Sequence, residues 1–227
     1  MIDALTQKDI DSLLQGAAPA APKKQTAEVV PYNFLRPPRI SKDRRSILEA
    51  IHARFALAVQ SLFSSRLRIP TDVVCTAEQA TFAEFILSIG NPCAAYVFNH
   101  GLPGGGQGVV DFSTDVAYFA IDRLFGGPGD GAMPNRPLTQ LERVVMRGMA
   151  ERLLNELTEA WVEHLPFAPE VTNFESTPDT LQIANHEDNV LVANMEIRAG
   201  QFSGLMTVCL PLLALENFLG DKTAAVV

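Results

Sequence analysis

Cysteine, tryptophan and charge are all scarce in this chain of 227 residues: three Cys, one Trp, and only 19% Asp, Glu, Lys and Arg together. Cys75, Cys93 and Cys209 are odd in number and show no CxxC spacing, which argues against a disulfide framework or a zinc site and predicts reduced core residues. No apolar run reaches the ~20 residues of a membrane helix; the stretch from Phe202 to Leu215 is broken by Ser203, Gly204, Thr207 and Pro211. The N-terminus has neither the basic start nor the continuous apolar run of a secretory signal, because Asp3, Lys8, Asp9 and Asp11 interrupt it. A cytoplasmic chain is expected. Basic residues are outnumbered 18 to 26, and the net charge of −8 disfavours nucleic acid, whose phosphates need a basic face. Protein partners fit better.

What is present is enough apolar material, 47%, to fill one sizeable core. Residues 1–14 carry a short amphipathic pattern, and residues 15–40 form a linker and lead-in segment in which Pro19 and Pro22 favour extended backbone. From Ser41, a plausible N-cap, the spacing of Ile47, Leu48, Ile51, Phe55, Val59, Leu62 and Phe63 predicts a helix that ends before Pro70. Strand-like runs follow at Asp72–Cys75, Thr81–Ile89, Ala94–Phe98 and Gly108–Phe112. A helix capped by Ser113 or Thr114 runs to Phe125 and stops at Gly126-Gly127-Pro128-Gly129. A second long helix begins at Thr139, with Leu141, Val144, Val145, Met149, Leu153, Leu157 and Trp161 spaced for one buried face. Further strands are expected at Glu170–Phe174, Thr180–Ala184, Asn189–Ile197 and Gly204–Leu210, then a helix from Pro211 to Gly220 and a tail over residues 221–227. Helix, strands, helix thus occurs twice. An offset of about 98 residues pairs Ile51, Phe55, Val59 and Phe63 with Met149, Leu153, Leu157 and Trp161, as an internal duplication would. The resulting fold class is α/β, with long helices, a mainly antiparallel sheet, and one domain over residues 41–220 behind a flexible N-terminal tail.

Catalytic patterns are missing. His52, His100, His164 and His186 lie far apart and form no ligand pair, and His52 and His164 read as solvent-facing or capping side chains. No Ser stands in a GxSxG elbow, and the glycine cluster from Gly101 to Gly108 lacks the GK[ST] ending of a phosphate loop. A hairpin loop explains it. Glu142, Glu151, Glu156 and Glu159 fall mostly opposite the apolar stripe of their helix, as a solvated face does.

Three stretches carry a resemblance. LTQKDIDSLL, from Leu5 to Leu14, closely resembles the peptide with which the flagellar motor switch family FliM binds the phosphorylated response regulator CheY. The physics of the peptide agrees, since Thr6 and Asp9 have capping-box spacing and Ile10, Leu13 and Leu14 form one apolar edge suited to a groove. YNFLRPPRISKD, from Tyr32 to Asp43, is similar to the family's lead-in to its middle domain; by themselves Arg36, Arg39, Lys42, Arg44 and Arg45 read as a solvated basic stretch. LFGGPG, from Leu124 to Gly129, resembles the glycine motif of the surface that docks the rotor protein FliG, although Gly126 at C′ with Pro128 beyond is also an ordinary helix stop.

The resemblance covers about residues 1–220 and implies a pseudo-twofold middle domain related to CheC-type phosphatases. It assigns CheY contacts to Leu5, Thr6, Gln7, Asp9, Ile10, Asp11, Leu13 and Leu14. FliG contacts fall to Leu124, Phe125, Gly126, Gly127, Pro128 and Gly129. Neighbouring copies in a ring at the cytoplasmic face of the inner membrane are further implied partners, and no cofactor is implied. Family members usually continue into a C-terminal domain resembling FliN, whereas this chain ends at Val227, which leaves FliN a doubtful partner. CheC-type enzymes use a helical Glu and Asn three residues apart. Here Glu49 is followed by His52 and Glu151 by Leu154, so a phosphatase is the less favoured alternative to a non-enzymatic adaptor.

Overall fold

In the computed structural model, residues 40–131 and 134–220 are described. Helix α1 (Lys42–Leu67) starts where the Arg44 amide donates to Ser41 Oγ at 3.3 Å, and its Leu48, Ile51, Phe55, Val59, Phe63 and Leu67 are all buried. Strand β1 (Asp72–Thr81) follows and leads directly into α2 (Phe82–Ser88). The strand expected over Thr81–Ile89 is therefore mostly a helix. Its cause is a capping box: the Glu84 amide donates to Thr81 Oγ1 at 3.2 Å, and the Thr81 amide donates to Glu84 Oε2 at 2.7 Å.

Strands β2 (Ala94–Asn99) and β3 (Gln107–Phe112) flank the glycine-rich hairpin loop, and α3 (Thr114–Leu124) starts at Ser113. Helix α4 (Gln140–Trp161) is capped by Thr139, again with a full capping box to Glu142. Its buried stripe is Met146, Met149, Ala150, Leu153, Leu154, Leu157, Ala160 and Trp161. Leu141 and Val144, expected on that face, are 67% and 63% exposed because the stripe's i, i+3, i+4 phase passes beside them in the first turn. Strand β4 (Glu170–Glu175) comes next, then a 3-10 turn at Pro178–Thr180 where a strand over Thr180–Ala184 was expected. The Leu181 amide there donates to Pro178 O at 3.0 Å, a local bond in place of a ladder. Strands β5 (Asn189–Ala199) and β6 (Phe202–Pro211) pair over ten positions, and the expected last helix is a 3-10 turn at Leu212–Leu215 running into α5 (Glu216–Leu219).

The six strands form one antiparallel sheet in the order β1-β5-β6-β3-β2-β4. Exchanging β1 with β4, β2 with β5 and β3 with β6 turns that order into its own reverse, so an approximate twofold axis passes between β3 and β6. The offset of 98 residues (41 to 139) carries the N-cap Ser41 onto Thr139 and the first residue of β1, Asp72, onto that of β4, Glu170. It also carries Val110 onto Val208, and those two residues face each other across the central pair. The duplication seen in sequence is thus a property of the fold.

Side chains leave the sheet alternately, and both faces are used. Tyr96, Phe98, Val110, Phe112, Met195, Ile197, Met206 and Val208 join α1, α3 and α4 in one large core. Ala95, Val97, Val109, Val190, Val192 and Cys209 join Phe82 and Phe85 of α2, with Leu181, in a smaller one on the opposite face. This second core is why β2 and β3 are apolar nearly throughout.

Candidate partner-docking surface

Helix α3 is buried along most of its length, with Val116, Ala117, Tyr118, Phe119, Ala120 and Ile121 all enclosed, so its C-terminal end is held firmly against the core. The chain leaves it through a Schellman ending. The Gly126 amide donates to Arg123 O at 3.1 Å and the Gly127 amide to Asp122 O at 2.8 Å, satisfying two of the helix's last carbonyls. That geometry places Gly126 at φ 89° and Gly129 at φ 77°, where a side chain is strained.

Two side chains of α3 then fix the loop. Asp122 accepts the Gly129 amide through Oδ2 at 2.7 Å, and a Cβ on Gly127 would lie 2.3 Å from that carboxylate. Arg123 donates from Nη1 to Gly127 O at 3.0 Å and Pro128 O at 3.4 Å, from Nε to Leu67 O at 3.0 Å, and from Nη2 to Arg68 O at 3.0 Å. The loop is a rigid, small-residue shelf. Phe125, 67% exposed, stands at its edge, with Gly126 and Pro128 also open to solvent and Leu124, Gly127 and Gly129 half-buried. An exposed aromatic beside bare backbone suits close approach by another protein's surface, and nothing in the shelf offers acid-base or nucleophilic chemistry.

Leu124 to Gly129 are contiguous, so sequence found them as a unit, but it missed what braces them. Asp122 gave a weak local signal, an acid placed to take an amide seven residues on. Arg123 reaching Leu67 and Arg68 gave none, because those residues are more than fifty positions away. The CheY contacts expected at Leu5, Thr6, Gln7, Asp9, Ile10, Asp11, Leu13 and Leu14 lie outside the described residues.

The other candidates resolve into structure. His52 corrects its expectation: it is buried, pairs through Nδ1 with Leu48 O at 2.7 Å, and meets Trp161 edge-on at 6.1 Å, and burial lowers its pKa. His100, also buried, accepts the Leu102 amide on Nδ1 at 3.1 Å and serves the hairpin loop. His164 is exposed, as expected. Burial pushes the thiol of half-buried Cys75 up to about 11 and that of Cys93 up to about 12, and raises that of Cys209 too, so all three are protonated, unreactive thiols. Leu154, three residues after Glu151, is buried, as is His52 after Glu49, so neither helix presents an acid and amide pair to water. Among the described residues, no cluster of three or more His, Cys, Asp or Glu could hold a metal, and no helix is long and apolar enough to cross a membrane.

Comparison with known proteins identifies the family. The family model for the flagellar motor switch protein FliM matches residues 41–223. The FliM of Thermotoga maritima is 31% identical over 226 residues, covering 96% of this chain and 68% of that protein. The FliM of Treponema pallidum is 31% identical over 232 residues, covering 99% of this chain and 67% of that protein, so the chain spans about two thirds of the length of both. Among solved structures, a crystal structure of a FliG–FliM complex from H. pylori superposes with a TM-score of 0.75 at 28% identity, over 79% of this chain and 99% of the other. With a matching family model over most of its length and the same α/β architecture, the chain belongs to the flagellar motor switch protein FliM family.

Proposed function

We propose that this chain is a non-enzymatic adaptor of the flagellar switch. It docks FliG through Leu124, Phe125, Gly126, Gly127, Pro128 and Gly129, and it receives phosphorylated CheY on the peptide from Leu5 to Leu14. Copies stand side by side in a ring at the cytoplasmic face of the inner membrane, where capture of the regulator raises its local concentration beside the rotor. The observation that carries the reading is the braced glycine shelf with its exposed Phe125, in a fold that superposes on a chain of a FliG–FliM complex.

The test is Phe125→Ala in a binding titration with purified FliG. Phe125 contributes little to the domain's own core, so the variant keeps its melting temperature, and losing an aromatic anchor weakens FliG by about tenfold or more. Equal affinity would remove the shelf from the interface. The rival reading, a CheC-like phosphatase, predicts accelerated phosphate release from phosphorylated CheY on adding the chain. The buried side chains at positions 52 and 154 support the opposite result.

A further inference from the structure

Arg123 commits its guanidinium to four backbone carbonyls, two on the glycine shelf and two at the C-terminal end of α1. Leu67 O and Arg68 O are among the carbonyls a helix leaves without internal partners, so this one side chain caps α1 and fastens it to the shelf. Between the two lies a recess of about 400 Å³, lined by Arg66, Leu67 and Arg68 on one side and Arg123, Phe125, Gly126 and Gly127 on the other.

Two features mark that recess. Arg68 has φ 53°, the single positive value among the described non-glycine residues; it is the left-handed C-cap that ends α1, and it turns the chain there at a cost of about 1 kcal/mol for an L-residue. Arg66 and Arg68 are both exposed, and the ion pairs among the described residues engage Arg54, Arg136, Arg147 and Arg198 instead. Arg66 complements the helix dipole from its last turn, which explains a cation there. Arg68, the C-cap residue, adds a second cation at the same helix end. In a chain of net charge −8, two arginines with no ion pair among the described residues, beside an exposed phenylalanine, form a local positive spot with an apolar neighbour.

We infer that the docking surface is composite, joining the end of α1 to the glycine shelf. It takes a partner segment that sets an apolar side chain against Phe125 and Gly126 and a carboxylate against the forks of Arg66 and Arg68. The identity of that partner as FliG rests on the function proposed above; the chemistry of the segment does not. Charges at such a rim act on association rate and salt dependence more than on packing.

The experiment measures FliG binding to the full chain at about 50 mM and about 500 mM salt. It compares wild type, Arg68→Gly, the pair Arg66→Glu with Arg68→Gly, Arg66→Lys, and Phe125→Ala. Glycine suits the left-handed position, so Arg68→Gly keeps or raises the melting temperature, and a loss of binding in it is not a loss of folding. The expected result is a severalfold weakening by Arg68→Gly and about tenfold by the pair at low salt, the deficit shrinking at high salt, with Arg66→Lys between wild type and the pair because it keeps the charge and loses the fork. Wild-type affinity in both variants, with Phe125→Ala weakened, overturns the composite surface and leaves the shelf reading standing. Weakening by the pair with Phe125→Ala unaffected upholds the arginine contact and overturns the shelf reading. No change in any variant overturns both.

Discussion

Asp111 is the next-to-last residue of β3 with 6% of its surface exposed, and one carboxylate oxygen accepts the Ala94 amide at 3.2 Å. Burial raises its pKa from the ordinary 3.8 to about 7, against the smaller lowering effect of that hydrogen bond. Between those two values the folded protein holds a proton that the unfolded chain has released, so this residue's contribution to stability falls as pH rises from about 4 to 7 and stays unfavourable above. Asp111→Asn keeps an acceptor for Ala94 and never ionises. Its unfolding free energy should exceed that of wild type by about 4 kcal/mol at pH 8, with the difference narrowing as pH falls to about 4; a pH-independent difference in urea titrations would refute the assignment. On the shelf, two neighbouring glycines behave differently. A Cβ at Gly126 meets nothing within 4 Å, so Gly126→Ala costs about 1 kcal/mol through its left-handed backbone alone. At Gly127 the same atom displaces the Asp122 carboxylate that holds Gly129, so Gly127→Ala should weaken FliG binding far more than Gly126→Ala. Equal losses in a titration of the two variants would show that the brace is irrelevant.

Elements were legible in sequence where one periodicity ran long enough to be unambiguous. Helices α1 and α4 repeat their apolar residues over six turns or so, and the ten-residue pairing of β5 with β6 matches two long β-type runs. Helix α2 failed because FAEFILS holds seven residues, too few to separate a 3.6 period from a run of apolar strand residues. The decisive signal is Thr81 with Glu84 three positions on, a capping box set beside two phenylalanines. Thr81→Ala removes the acceptor for the Glu84 amide and should cost about 1 kcal/mol in denaturant unfolding, and no loss would mean that packing of Phe82 and Phe85 alone holds the helix. The segment over Thr180–Ala184 failed for the reverse reason. Its alternation is that of a strand, but Leu181 and Ile183 pack on the second core while the backbone turns locally after Pro178, a tertiary outcome no local pattern encodes. The shelf itself was readable as a glycine motif, whereas its bracing by Arg123 across to Arg68 required the packed molecule.

At the scale of the whole molecule, the palindromic strand order means that two similar halves complete one sheet, and neither half could close the core alone. The halves have diverged at their ends: β1 pairs with β5 over ten positions, while β4 is six residues long and its pairing with β2 slips at Val97 and Phe98. Among the described residues the main core runs from Leu48 to Phe218. If the terminal peptide serves the regulator alone, deleting residues 1–14 leaves the domain's melting temperature and its affinity for FliG unchanged. Binding of phosphorylated CheY should vanish. In the sequence, Leu5, Ile10, Leu13 and Leu14 offer about 2 kcal/mol each on burial, nearly cancelled by about 1 kcal/mol for each residue ordered, so the expected complex is weak and quickly reversible. Such reversibility is what a sensor of a short-lived phosphorylation requires, because a tight complex would outlast its signal. The measurement is a titration of phosphorylated CheY against the full and shortened chains, with FliG binding followed alongside as a control for folding. Undiminished CheY binding by the shortened chain would move the sensor onto the folded domain and end the case for the terminal peptide.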